Sequence, residues 1–118
     1  MGVEIDVDAR EIWRASISMN IETASRQLDA LGNATRLRIY RTLVRAGESG
    51  APVGRVQDSL GLPASTLSHH LKKLLDVGLI RQERSGNTLH CHAEYPAMKA
   101  LVGFLIDECC ADEDATGK

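Results

Sequence analysis

The sequence predicts a mainly α-helical domain with one small β-hairpin, and three observations carry that prediction. Apolar residues recur at helical spacing through most of the chain. A short helical segment and a longer one are separated by Gly61-Leu62. Directly after the longer segment the period changes to that of two short strands joined at Ser85-Gly86-Asn87. Short helix, turn, longer helix and hairpin together form the winged helix-turn-helix pattern.

Each element follows from local signals. Residues 1–19 mix an alternating start (Val3, Ile5, Val7) with a short helical pattern at Ile12, Ala15, Ser16 and Met19, and form an N-terminal extension, partly disordered by expectation. Ile21, Ala24, Leu28 and Leu31 then mark a core helix that Gly32 stops. Asn33 caps a second helix, with Leu37, Tyr40 and Val44 sharing a face and Leu43 beside it, up to Gly47. The segment from Glu48 to Pro52 reads as a loop. Val53, Val56 and Leu60 give the short helix, closed by Gly61. The longer helix runs from Pro63, which costs nothing at a helix start, to Val77. Leu67, His70 or Leu71, Leu74 and Leu75 form its inward stripe.

The strands are Leu79 to Arg84 and Thr88 to Ala93. Pro96 opens a last helix whose Met98, Leu101, Val102, Leu105 and Ile106 make an apolar face that Ala97, Ala100 and Phe104 widen past half the circumference. So small a domain cannot bury that face against itself, so the expectation is a homodimer through the terminal helices. Residues 20–110 then form the DNA-binding and dimerisation domain, and residues 111–118 an acidic flexible tail.

Composition narrows the function. A chain of 118 residues supplies one core. Its aromatic residues are only Trp13, Tyr40, Tyr95 and Phe104, too few for a base-stacking platform. No stretch nears the roughly 20 apolar residues of a membrane span, and the acidic start (Glu4, Asp6, Asp8) is unlike a signal peptide, so the expected location is cytoplasmic, with no membrane partner. Three cysteines argue against a disulfide framework. The net charge of −2 conceals a segregation: residues 33–94 carry +4, and the flanks −6. A basic middle suits a phosphate-facing centre.

The outward face of the Pro63–Val77 helix holds Ser65, Thr66, Ser68, His69, Lys72 and Lys73. In a major groove, hydroxyls serve base edges or phosphates, His69 donates, and the lysines neutralise phosphates. A solvated face of a core helix would look similar, and the flanking short helix and hairpin favour the groove.

With these elements in place, Leu31-Gly-Asn-Ala-Thr-Arg-Leu-Arg-Ile39, Leu67-Ser-His-His-Leu-Lys-Lys-Leu74 and Gly78-Leu-Ile-Arg81 resemble the ArsR/SmtB family of bacterial repressors, over about Ile21 to Cys110. The resemblance implies a homodimer that binds an inverted-repeat operator in double-stranded DNA and is released by a metal, metalloid or thiol signal. It implies base reading by Ser65, Ser68 and His69, wing contacts by Arg84 and Asn87, and an approach of Arg36 to the DNA backbone.

The family's cysteine pair in the short helix is absent, that stretch reading Arg55-Val-Gln-Asp-Ser59, and the last helix has no histidine for a zinc set. Phe104-Leu-Ile-Asp-Glu-Cys-Cys110 instead looks like arsenic-responsive members with a Cys-Cys pair at the end of the last helix. Members that bind arsenite usually carry a third cysteine several residues later; here that region is Ala115-Thr116. Arsenite takes three thiolates, whereas an organoarsenic(III) compound has spent one bond on carbon and needs two. The implied inducer of Cys109 and Cys110 is therefore an As(III) compound, organoarsenicals before arsenite, unless Cys91 or a partner-chain cysteine completes the set. No cofactor is required.

Alternatives stay open: a redox-sensing repressor using the same cysteines, or one with no thiol ligand and both thiols buried at the interface. Cys91 shares the inward strand face with Leu89 and Ala93, which favours burial, while His90 and His92 lie on the opposite face with Glu94 as a His-x-His pair lacking a third ligand. A thiol enzyme is disfavoured, because adjacent cysteines are not Cys-x-x-Cys and no general base or cofactor loop accompanies them, so no enzymatic activity is expected.

Overall fold

A computed structural model describes residues 19–115. All of the expected N-terminal extension except Met19, and residues 116–118 of the tail, lie outside the described residues. Helix α1 spans Ile21–Leu31, with the Asn20 side chain accepting from the Thr23 N–H at 2.8 Å. Helix α2 spans Ala34–Ala46, and Asn33 caps it by accepting from the Arg36 N–H at 3.0 Å. Then come β1 (Ala51–Pro52), α3 (Val53–Leu60), α4 (Ala64–Asp76), β2 (Ile80–Ser85), β3 (Thr88–Ala93), α5 (Tyr95–Ile106) and α6 (Ala111–Ala115). The fold is the winged helix-turn-helix expected, mostly helical with a small sheet. Helix α4 is one residue shorter at each end than its sequence signals, because Pro63 and Val77 serve as its caps.

The core is aliphatic. Ile39, Leu43, Val56, Leu67, Leu74, Leu79 and Cys91 are fully enclosed, and with Ala51 and Ile80 they let every element from α2 to β3 contribute to one cluster. Burying such side chains stabilises by about 1.5–3 kcal/mol each. Leu67, Leu71 and Leu74 are the inward stripe of α4, and they fix which of its faces is left outside.

Two helix faces differ from the sequence reading. In α1 the buried residues are Ala24, Gln27 and Ala30, while Ile21 and Leu28 are 69% and 42% exposed. In α2 they are Ile39, Tyr40 and Leu43, and Leu37 points outward. An apolar stripe tells which positions avoid water in the end state, without telling which neighbour covers them.

The wing also differs. Ala51 and Pro52, expected in a loop, pair antiparallel with Cys91 and His90, giving a three-stranded sheet of order β1-β3-β2. The β2–β3 register runs from Ile80 opposite Ala93 to Ser85 opposite Thr88, leaving Gly86-Asn87 as a two-residue turn, with Gly86 at φ 64. Strand β3 is therefore central, and His92, expected on the solvent face, is 6% exposed. Its Nδ1–H donates to the Glu48 carbonyl at 3.1 Å, and its Nε2 lies 3.4 Å from the Glu83 carboxylate. His92 is thus held by groups of the protein itself, and among the described residues no group of three His, Cys, Asp or Glu side chains is arranged to hold a metal.

Candidate nucleic-acid interface and thiol pair

The turn that presents α4 is built by Gly61, whose left-handed φ of 64° needs no Cβ, and by Leu62, whose N–H bonds back to the Gln57 carbonyl at 3.2 Å. Ser65, Ser68, His69, Lys72 and Lys73 are exposed on α4, and Thr66 is half-buried beside them. Lys72 pairs with Asp76 at 3.4 Å, an exposed i,i+4 contact worth a few tenths of a kcal/mol and easily exchanged for a phosphate. Arg84 and Asn87 are exposed at the wing, the first in β2 and the second in the turn.

Arg36 is half-buried beside this surface. Its Nε–H donates to the Ala30 carbonyl at 2.7 Å, and its Nη1 lies 3.2 Å from Nδ1 of His70 on α4. With Arg26, Asp29, Lys73 and Asp76 it lines an open cleft of about 410 Å³ between α1 and the end of α4. Burial, and then the charges of Arg36, His69 and Lys73, lower the pKa of His70 from its ordinary value. Gln27 gave no functional signal in the sequence, where the buried face of α1 reads as Ile21, Ala24, Leu28 and Leu31. Its Nε2 donates to the Val77 carbonyl at 3.0 Å, joining α1 to the end of α4.

Cys109 and Cys110 lie beyond α5, which ends at Ile106, and before α6, so they occupy a turn between helices and not the end of the last helix. The turn is held by the Cys109 N–H on the Ile106 carbonyl and the Ala111 N–H on that of Glu108, both at 3.0 Å. Glu108 and Cys110 take left-handed φ values of 62° and 63°, uncommon for side chains other than glycine. The outcome is that the two Sγ atoms stand 3.5 Å apart, both exposed. The hydrogen bond with Cys109, followed by desolvation and the Glu113 side chain, pushes the Cys110 thiol pKa up.

Cys91 is not brought to this pair. It is enclosed in the core on β3 and accepts from Gln82 Nε2 at 3.3 Å, with burial pushing its thiol pKa up against the lowering effect of that bond. Among the described residues no third cysteine stands with Cys109 and Cys110, and the pair belongs to no group of three His, Cys, Asp or Glu side chains arranged to hold a metal.

Comparison with known proteins agrees with the geometry. Residues 31–83 match a family described as a helix-turn-helix domain. The chain is 33% identical over 94 residues to the nodulation protein NolR of Rhizobium meliloti, covering 80% of this chain and 75% of that protein. It is 32% identical over 91 residues to an uncharacterized HTH-type transcriptional regulator, YbzH, of Bacillus subtilis, covering 67% and 91%. Among solved structures, an ArsR-like transcriptional regulator from Rhodococcus superposes with a TM-score of 0.67 at 18% identity, over 80% of this chain and 86% of that one. The homodimeric winged helix-turn-helix domain of Mb0332 from Mycobacterium bovis, described as a possible ArsR-family regulator, gives 0.60 at 22%, over 100% and 96%. The antimony-specific transcriptional repressor AntR gives 0.58 at 21%, over 100% and 99%.

Proposed function

This chain belongs to the helix-turn-helix transcriptional regulators, and from that premise we propose that it is a cytoplasmic, dimeric repressor of the ArsR/SmtB type, released from its operator by trivalent arsenicals. The observation that carries the inducer half is the pair of exposed Sγ atoms 3.5 Å apart. Two thiolates on one soft ion, with bonds of about 2.3 Å at a tetrahedral or smaller angle, stand roughly 3.5–3.8 Å apart, so the pair needs little rearrangement to close on one atom. AntR, an antimony-specific transcriptional repressor of similar fold, is in keeping with a soft metalloid ligand. The two-thiolate set favours organoarsenicals over arsenite.

For DNA, the polar face of α4 enters the major groove, with Ser65, Ser68 and His69 at base edges, Thr66, Lys72 and Lys73 in support, and Arg84 and Asn87 on the wing. Two such helices about 34 Å apart fit an inverted repeat. His69→Ala is expected to cost about 1–3 kcal/mol on the operator and much less on random duplex. Equal losses on both would remove His69 from base reading.

The deciding experiment is fluorescence anisotropy on the DNA upstream of the gene, titrated in parallel with phenylarsenite, arsenite, zinc and diamide. Phenylarsenite is expected to weaken binding about 5–150-fold, the usual range of a coupling between two sites. Cys109→Ser and Cys110→Ser should each abolish that response while leaving the drug-free affinity intact. Release by diamide that dithiothreitol reverses, with no response to arsenicals, would assign the pair to redox sensing instead. A response unchanged in the double variant would place the inducer elsewhere.

A further inference from the structure

Arg36 occupies the position from which the family resemblance implies an approach to the DNA backbone, yet its half-buried guanidinium is engaged by groups of the protein itself. One edge is anchored on the last turn of α1 through the Ala30 carbonyl, and Nη1 meets His70 Nδ1 in the middle of α4. Asn33, capping α2, holds the Arg36 backbone N–H and so fixes where the side chain starts. Gln27 adds a second tie between α1 and α4, at Val77.

We propose that Arg36 is a positioning residue and not a phosphate contact: through a neutral His70 it sets the recognition helix against α1, and operator binding becomes acid-sensitive through that bond. The inference rests on the reading of α4 as the operator-binding helix. A guanidinium has only donors, so His70 must offer Nδ1 as a lone pair and carry its proton on Nε2. Protonation of His70 removes the acceptor and sets a cation beside Arg36. The groups facing His70 do not compensate: Arg36 comes from α2, and His69 and Lys73 from its own helix. Arg26, Asp29 and Asp76 line the cleft that Arg36 and Lys73 share.

The lowered pKa of His70 agrees with this arrangement. A histidine whose folded-state value lies below its unfolded one contributes stability above the ordinary histidine value and loses it as pH falls towards the folded-state value. The tie between α2 and α4 is therefore present at neutral pH and weakens on acidification.

The test uses the full chain, its upstream duplex and a random duplex of equal length. Arg36→Ala is expected to lower operator affinity about tenfold, random-duplex affinity little, and to leave the slope of log affinity against log salt unchanged. Loss of a phosphate contact would reduce that slope by about 0.9. His70→Asn, which keeps an acceptor near Nδ1 and does not titrate, should retain most of the affinity at about pH 7.5 and flatten its decline towards about pH 5.5. Removing both side chains should cost no more than Arg36→Ala alone. A slope reduced by about one unit, equal losses on both duplexes, or an acid decline that survives His70→Asn would overturn the proposal. Imidazole ¹⁵N spectra of the free protein give a readout independent of DNA. The Nε2–H tautomer is expected for His70, and the Nδ1–H tautomer would refute the bond even if the operator reading failed on its own through absent binding to the upstream duplex.

Discussion

Val102→Glu combined with Leu105→Glu is expected to turn the protein into a monomer and to lower operator affinity by about 10²–10⁴-fold, the range lost when two linked binding events become one. Val102, Leu105 and Ile106 are 48%, 58% and 53% exposed on α5, and Ile21 and Leu28 add 69% and 42% on α1, which packs beside it. Apolar residues this exposed, gathered on two adjacent helices, form a patch that a soluble monomer has no reason to keep. In a homodimer an isologous contact would cover such a patch with its own copy. Neither substituted side chain belongs to the single-protomer core, so the variant monomer should keep its helicity. Sedimentation velocity and anisotropy on the operator decide the matter. A variant that remains dimeric and binds normally would place the interface on another face.

The same two helices show what the sequence could convey. The helical period of α5 and its excess of apolar surface were both legible, because an apolar residue announces its aversion to water whichever molecule provides the shelter. In α1 the same signal was misassigned: Ile21 and Leu28 were read into the core, where Gln27 in fact sits. The polar face of α4 followed directly from the stripe of Leu67, Leu71 and Leu74, since fixing three inward positions on a helix fixes the outward ones. The thiol pair was legible as chemistry and not as geometry. Nothing in Asp107-Glu-Cys-Cys110 announces left-handed residues on both sides of Cys109, because only glycine and asparagine signal that conformation in a sequence. Arg36 was legible as a basic residue near a helix start. Its bonds to Ala30 and His70 join residues 6 and 34 positions away and depend on tertiary packing alone.

Gly50→Ala is expected to destabilise the protein by about 2–5 kcal/mol, and the cause is the third strand that composition had disguised as a loop. Gly50 has φ 71°, a conformation that costs a residue with a Cβ about 1–2 kcal/mol. A Cβ built there would stand 2.5 Å from the Cys91 carbonyl oxygen and 2.5 Å from His92 Nδ1. Neither neighbour has room to yield. Strand β3 is paired on both edges, and the His92 ring is bound at the Glu48 carbonyl and faces Glu83 on β2. Overpacking of this kind adds about 1–3 kcal/mol. For a domain of this size each kcal/mol moves the melting temperature by about 4–8 °C, so a fall of about 8–40 °C should appear in thermal unfolding. Gly54→Ala gives the opposite sign from the same chemical change. Gly54 is in helix α3, its added Cβ meets nothing within 4 Å, and replacing a helical glycine by alanine stabilises by up to about 1 kcal/mol. If both variants melted within a degree or two of the wild type, β1 would not be paired with β3 in solution, and His92 would be free to turn outward as the sequence alone suggested.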